Sequence, residues 1–168
     1  MIKKRIQLTL FADVNESAAI EDIRKQFNPE QYALIKCHVT LCKEDELEHI
    51  EKIIEGLKKL KHNSIVIDFG EATRFSNGKG VLLPAIGDNK DFHSLRAIIL
   101  QPVIQNIKNA SPHITLMHPR NSSCTNELYE EIEKIQLPNK LQFKKISLIE
   151  QNLGGKWNTL QEFGLLAI

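Results

Sequence analysis

Net charge is almost absent. Lys and Arg number 22 against 21 Asp and Glu, leaving a formal charge of +1 over 168 residues. That excludes a positive coat for gripping long duplexes nonspecifically, so any nucleic-acid contact must be local. Cysteine is scarce. Cys37, Cys42 and Cys124 are odd in number and lack metal-ligand spacing, which points to reduced thiols and a cytoplasmic location. Long apolar runs are missing too. None approaches the ~20 residues of a membrane span, and polar residues interrupt the opening MIKKRIQLTLF, which lacks a signal-peptide h-region. No stretch rich in Pro, Gly or Ser divides the chain. What is there is ordinary globular composition, 42% hydrophobic and 26% charged, long enough to bury a core without disulfides. A single domain over residues 1–168 is expected.

Periodicity predicts a strand over Arg5–Phe11 and a helix over Ser17–Phe27. A strand follows over Leu34–Lys43, then a long amphipathic helix over Glu44–Leu60 with acids early and lysines late. Ser64–Phe75 reads as a strand, Asn77-Gly78 as a hairpin turn and Lys79–Ile86 as its return. The second half repeats the order. A helix is expected within the mixed stretch from Asp91 to about Asn106, stopping near Pro102 or shortly after it, then a strand over Ser111–Met117 and a helix over Asn126–Gln136. A strand over Lys140–Glu150, with a possible bulge at Lys144-Lys145, turns at Leu153–Lys156 into a return strand over Trp157–Leu165.

Two four-residue words anchor this repetition, HVTL at His38–Leu41 and HITL at His113–Leu116. His38 lies 27 residues before Ile65, and His113 lies 28 before Leu141. The chain therefore reads as an internal duplication. A two-lobed α+β fold with antiparallel sheets is expected, with lobes near 1–88 and 89–168 and room for strand exchange between them.

On a strand, residues i and i+2 share a face. His38 and Thr40 project together, as do His113 and Thr115, while Val39, Leu41, Ile114 and Leu116 can enter the core. Packed about a pseudo-twofold axis, the pairs would meet across one central cleft, with helices outside. Two imidazoles that titrate near neutrality and two hydroxyls suit in-line chemistry at phosphorus. One imidazole takes a proton, the other gives one, and the hydroxyls hold the non-bridging oxygens. The motifs lack the Asp and Glu supply of a two-metal site, so neither metal nor cofactor is expected.

Paired H-x-T-hydrophobic motifs half a chain apart resemble the two-histidine (2H) phosphoesterase superfamily, and within it the 2'-5' RNA ligase, or RNA 2',3'-cyclic phosphodiesterase, family. The similarity includes the opening strand, Pro112 before the second motif and a closing hairpin ending LQEFGLL. It implies a pseudo-twofold bilobal fold and metal-independent cleavage of a cyclic phosphate or a 2'-5' bond, with His38 and His113 as acid and base and Thr40 and Thr115 on the phosphate. The flanks KCHVTLCK and MHPRNSSC depart from the usual pattern and leave the substrate open. Alternatives are a 2'-5' phosphodiesterase or ligase on oligonucleotides, and a non-catalytic module that binds RNA ends.

Other candidates are secondary. Lys36 shares parity with His38 and can meet a phosphate, and Arg120 can contact phosphate or base from a loop. Phe75 and Trp157 flank the hairpin turns and can stack a base. Cys42 shares the parity of His38, with nothing to depress its pKa. His49, His62, His93 and His118 have no partner motif. The expected partner is an RNA terminus or small nucleotide bound by a monomer, with no membrane.

Overall fold

The computed structural model describes residues 3–167, so Met1 and Ile2 of the opening stretch and Ile168 lie outside the described residues. The first half of the chain forms β1 (Lys4–Phe11), α1 (Ala18–Phe27), α2 (Pro29–Leu34), β2 (His38–Cys42), α3 (Ile50–Lys59), β3 (Ile65–Asp68), β4 (Thr73–Arg74) and β5 (Val81–Pro84). The second forms α4 (Lys90–Leu100), β6 (His113–Met117), α5 (Asn126–Glu133), β7 (Lys140–Phe143), β8 (Lys145–Asn152) and β9 (Trp157–Gly164). The helix signals explain the helix ends. Glu21 and Glu51 open α1 and α3, and basic residues close both, complementing the dipole. Thr125 caps α5 by accepting the Leu128 amide at 3.2 Å.

A seven-stranded sheet runs β4-β5-β6-β2-β1-β8-β9, beside a two-stranded sheet β3-β7. Every ladder between these strands is antiparallel, as the α+β reading expects. The sheet order shows the pseudo-twofold relation. Exchanging β2 with β6, β1 with β5 and β8 with β4 maps the six strands from β4 to β8 onto themselves, and β9 is the addition at one edge. The strand ends obey the same relation. Ala12 N donates to Cys37 O at 3.1 Å, and Ala85 N donates to Pro112 O at 3.0 Å, each carbonyl belonging to the residue just before a motif histidine.

Helices cross between the halves, with α1 packed on β6 and α4 on β2. Leu8, Leu10, Val39, Leu41, Ile114 and Leu116 are buried in one core with Ile20 and Ile23 of α1 and Phe92 and Leu95 of α4. Each such side chain, fully buried, contributes about 1.5–3 kcal/mol. One face of the central strands is thus committed to the core, which leaves the other for the histidines and threonines.

Several boundaries differ from the expectation. Residues 34–37 are not strand, because Pro29 starts the short helix α2 and β2 begins only at His38. The long helix expected over Glu44–Leu60 is a 3-10 turn, Glu44–Glu46, followed by α3 from Ile50. Buried Glu46 is pulled inward by Arg96 and also accepts the Lys43 amide at 2.9 Å, so the chain turns there instead of propagating a helix. The single strand expected over Ser64–Phe75 divides into β3 and β4, which lie in different sheets. At the junction, Gly70 N donates to Pro84 O, and a side chain at Gly70 would meet Ile86. The expected bulge at Lys144-Lys145 is likewise a change of sheet, from β7 to β8.

Candidate active site

Val39 pairs with Ile114 where β2 meets β6. Antiparallel register then sets His38 opposite Thr115 and Thr40 opposite His113. Directly opposed side chains lie about 4.5–5.5 Å apart at Cβ. The four polar groups therefore form a small quadrilateral with the imidazoles on one diagonal and the hydroxyls on the other. All four are half-buried.

Both motifs share a second device. Between Leu8 and Thr9 the pairing jumps from Cys42 to Thr40, and between Val81 and Leu82 it jumps from Met117 to Thr115. Leu41 and Leu116 are the extra residues, so each motif ends in a β-bulge. This explains the shared burial pattern, in which the fourth and fifth residues are both buried. It also corrects the parity expected for Cys42, which the bulge turns to lie opposite core residue Leu8. Burial pushes the Cys42 and Cys37 thiols up to about 12 and raises that of Cys124, so none is poised as a nucleophile.

Each histidine is held identically. His38 Nδ1 donates to Lys36 O at 2.7 Å, and His113 Nδ1 donates to Ser111 O at 2.9 Å. A carbonyl only accepts, so these bonds fix the Nδ1–H tautomer and leave Nε2 to react. A phenyl ring meets each imidazole edge-on, Phe11 at 6.1 Å from His38 and Phe75 at 5.9 Å from His113 between centroids. A buried arginine braces the chain leading into each motif. Arg24 of α1 donates to Ile35 O at 2.7 Å, and Arg96 of α4 donates to Lys108 O at 3.1 Å.

The surroundings differ. Gln7 of β1 donates to Thr40 Oγ1 at 3.1 Å and to Thr9 Oγ1 at 2.6 Å, so the Thr40 proton is free to point elsewhere. Thr115 instead has Leu82 opposite it. Burial pushes His38 down to about 4, aided by charge on Arg24, His113 and His118 and opposed by the Lys36 carbonyl. His38 is therefore neutral at physiological pH.

His118, unpartnered in the sequence, stands close enough to His38 and His113 to interact with both. Its backbone is fixed from the other half of the chain. Asn28 Oδ1 accepts the His118 amide at 2.8 Å, and Asn28 Nδ2 donates to Asn121 at 3.1 Å. Arg120 N donates to His118 Nδ1 at 3.1 Å, which leaves the neutral ring's proton on Nε2. Burial, then Arg120, Arg5 and His113, hold its pKa below the ordinary value. In its neutral form His118 thus offers an Nε2–H donor. The only sequence signal was its offset, five residues after His113, matching Lys43 after His38. Gln7 and Asn28 gave no signal, because their roles depend on strand pairing and a long-range contact.

Lys36 lies outside β2 and its side chain is exposed; its carbonyl holds His38. Arg120 is exposed on the loop after β6, where its amide orients His118. Phe75 packs on His113, and Trp157 lies under the Arg5 guanidinium, 5.4 Å from its ring centroid. Among the described residues no group of three or more His, Cys, Asp or Glu is placed to hold a metal ion, and no helix is long and apolar enough to cross a membrane.

A family model, the 2'-5' RNA ligase superfamily, matches residues 12–155. The chain belongs to this superfamily. It is a 2H phosphoesterase domain, and membership supports a phosphodiesterase-type activity. No curated protein matches it by sequence. Among solved structures it is similar to E. coli LigT complexed with NADP+, at 12% identity and a TM-score of 0.66, covering 96% of this chain and 97% of that one. LigT complexed with 3'-AMP is similar at 13% identity and a TM-score of 0.65, covering 96% and 98%. A structure described as a phosphoesterase is similar at 13% identity and a TM-score of 0.66, covering 97% and 99%. At these identities the likeness is one of fold, and it spans the whole superfamily domain.

Proposed function

We propose that this protein is a metal-independent phosphodiesterase that opens a 2',3'-cyclic phosphate on an RNA end or nucleotide. The observation that carries the reading is the quadrilateral of two imidazoles and two hydroxyls, with both Nδ1 atoms committed to carbonyls and both Nε2 atoms left to react. The phosphate sits among the four groups. Neutral His38 takes a proton from water as the water oxygen attacks phosphorus. The P–O bond to one ribose oxygen breaks in line, and His113 supplies the proton that oxygen acquires. The product is a phosphomonoester. His38 is then protonated and His113 neutral, and proton exchange with solvent restores both.

Thr40 and Thr115 donate to the non-bridging oxygens as charge grows there. Gln7 supports this on one side by occupying a lone pair of Thr40 Oγ1. His118 offers a third donor through Nε2–H in its neutral form. The 3'-AMP held by LigT supports a nucleotide phosphate as ligand. With a ribose 5'-hydroxyl attacking in place of water and the 3' oxygen leaving, the same acid–base pair would join ends through a 2'-5' bond, the activity in the superfamily's description.

The test is to incubate EDTA-treated protein with 2',3'-cyclic nucleotides and with 2'-5' dinucleotides, and to assign products by phosphorus NMR. Ring opening that persists in chelator is expected. Turnover that disappears with EDTA and returns with a divalent ion would reject the mechanism.

A further inference from the structure

Helix α3 breaks two local rules on one of its faces. Lys52 stands in the first turn, where the positive end of the helix dipole disfavours a cation. Gly56 stands mid-helix, where only proline is less stable than glycine. Packing within the chain does not demand that glycine, since a Cβ there would meet nothing within 4 Å. Its φ does not demand it either, being outside the left-handed region. Lys52, Gly56 and Leu60 fall four residues apart, so they share one stripe of the helix. The buried stripe of Ile53 and Leu57 runs beside it. Two positions that cost helix stability on one stripe point to a use for it other than folding.

That stripe lines a cleft of about 280 Å³ between α3 and the end of α4. The space left open at Gly56 is part of it. The other lining side chains are of two kinds. Ile53, Leu57, Leu60, Ile98, Ile99 and Val103 make an apolar wall, and Ile98 is 47% exposed to water. Lys52, Lys59 and Lys61 supply charge, and no carboxylate lines the cleft. The ion pairs of the described residues involve none of the three lysines. The dipole accounts for Lys59 in the last turn but not for Lys52. Neither motif contributes a residue to this lining, so the cleft is separate from the candidate active site.

We propose that this cleft is a second binding site, for a medium-chain aliphatic carboxylate such as a free fatty acid. Its volume falls just under the range of about 300–1,000 Å³ usual for small-molecule sites, which suits one unbranched chain. The lining side chains carry no polar group except the three ammoniums, so they offer donors to an anion and no acceptor to a base or sugar. An apolar tail with a single anionic head matches both kinds of lining. The tail buries against the wall, and the head meets lysines whose long stems reach the mouth of the cleft. The site stands whether or not the protein opens a cyclic phosphate.

The experiment titrates wild type with decanoate, decanol, decylammonium and acetate by calorimetry, and follows isoleucine and valine methyl resonances by NMR. Decanoate should bind saturably below its micelle concentration and shift the methyls of Ile53, Ile98 and Val103. Acetate should bind at least about a hundredfold more weakly, because each buried methylene adds affinity. Gly56→Leu fills the cleft and should weaken decanoate at least about tenfold. Its thermal midpoint should be no lower than that of wild type, since leucine is the better helix former, which separates lost binding from lost folding. Lys59→Gln/Lys61→Gln should weaken decanoate by roughly threefold to tenfold and leave decanol unchanged. Absence of saturable binding, decylammonium binding as tightly as decanoate, undiminished affinity in Gly56→Leu, or methyl shifts located elsewhere would overturn the site. So would sedimentation with phosphatidylglycerol vesicles by a protein that binds no free decanoate, which would make this face a membrane contact.

Discussion

HVTL and HITL are the same device in two environments. Each places a histidine and a threonine on one face of a central strand, ends in a bulge at its leucine, and ties Nδ1 to the carbonyl two residues earlier. Around His38 the neighbouring strand supplies Gln7, Thr9 and Phe11, and beyond it the sheet is longer. Around His113 the neighbouring strand supplies Leu82 and Pro84, and Phe75 arrives from a hairpin. Symmetry of the scaffold sets where the groups stand, and burial in its own surroundings lowers the pKa of His38. An acid–base pair needs both, since two imidazoles in identical surroundings would favour the same protonation state.

The largest effect should come from removing either member. His38→Ala and His113→Ala should each lower single-turnover cleavage of a cyclic-phosphate substrate by on the order of 10²–10⁴. The double variant should fall well short of the product of the two losses. Near-wild-type turnover in either single variant would break the equivalence of the two copies and the mechanism with it.

The braces behind the motifs should differ next. Arg96 and Glu46 are both buried, at 3% and 7% side-chain exposure, whereas Glu21, the partner of Arg24, is 22% exposed. Glu46→Ala strands a buried guanidinium and should cost about 3–5 kcal/mol in urea unfolding. Glu21→Ala should cost less, because water reaches its site. Burial raises the Glu46 carboxyl, but Arg96 and the Lys43 amide outweigh it and hold the pKa below the ordinary value. Its contribution is therefore complete above the unfolded carboxylate pKa and lost as pH falls through the lower folded value. Equal costs for the two variants would mean the braces are energetically alike.

The pH profile tests the electrical difference directly. With His38 at about 4, the acid limb of kcat/KM should fall near pH 4. At pH 5 an ordinary imidazole would retain only about 3% of its neutral form, so the profile separates the two cases by roughly thirtyfold. The same shift costs stability. The unfolded chain protonates this residue first, so the folded state weakens as pH falls from about 6.5 toward 4. An acid limb near 6.5 that vanishes in His38→Ala would show that the surroundings do not separate the two imidazoles.

Gln7 should give the smallest change. Gln7→Leu removes one hydrogen bond to Thr40, worth about 1 kcal/mol, and should lower kcat about fivefold with little change in KM. In a Thr40→Ala background it should do almost nothing further. An undiminished effect there would show that Gln7 acts elsewhere.

Much of the fold was legible because it rests on local rules. Period-two alternation marked β1, the apolar stripe of Ile53 and Leu57 marked α3, and Asn77-Gly78 marked the turn between β4 and β5, where Gly78 takes a φ of +71°. The pairing of motifs was legible because a repeated word survives in one dimension. The misread boundaries lie where long-range contacts override local preference, as at Glu46, turned inward by an arginine 50 residues away.

By itself, then, the sequence determined that two His-Thr pairs lie on strands with their apolar alternates in a core, since side-chain parity follows from the backbone alone. Tertiary structure decided the rest. Interleaving the halves as β6-β2 set each histidine opposite the other copy's threonine. Strand β1 brought Gln7 to Thr40, and Asn28 secured the loop bearing His118. Burial lowered the pKa of His38 to about 4. These outcomes depend on which surfaces exclude water and which distant segments meet, and residue order along a chain specifies neither until the chain has folded.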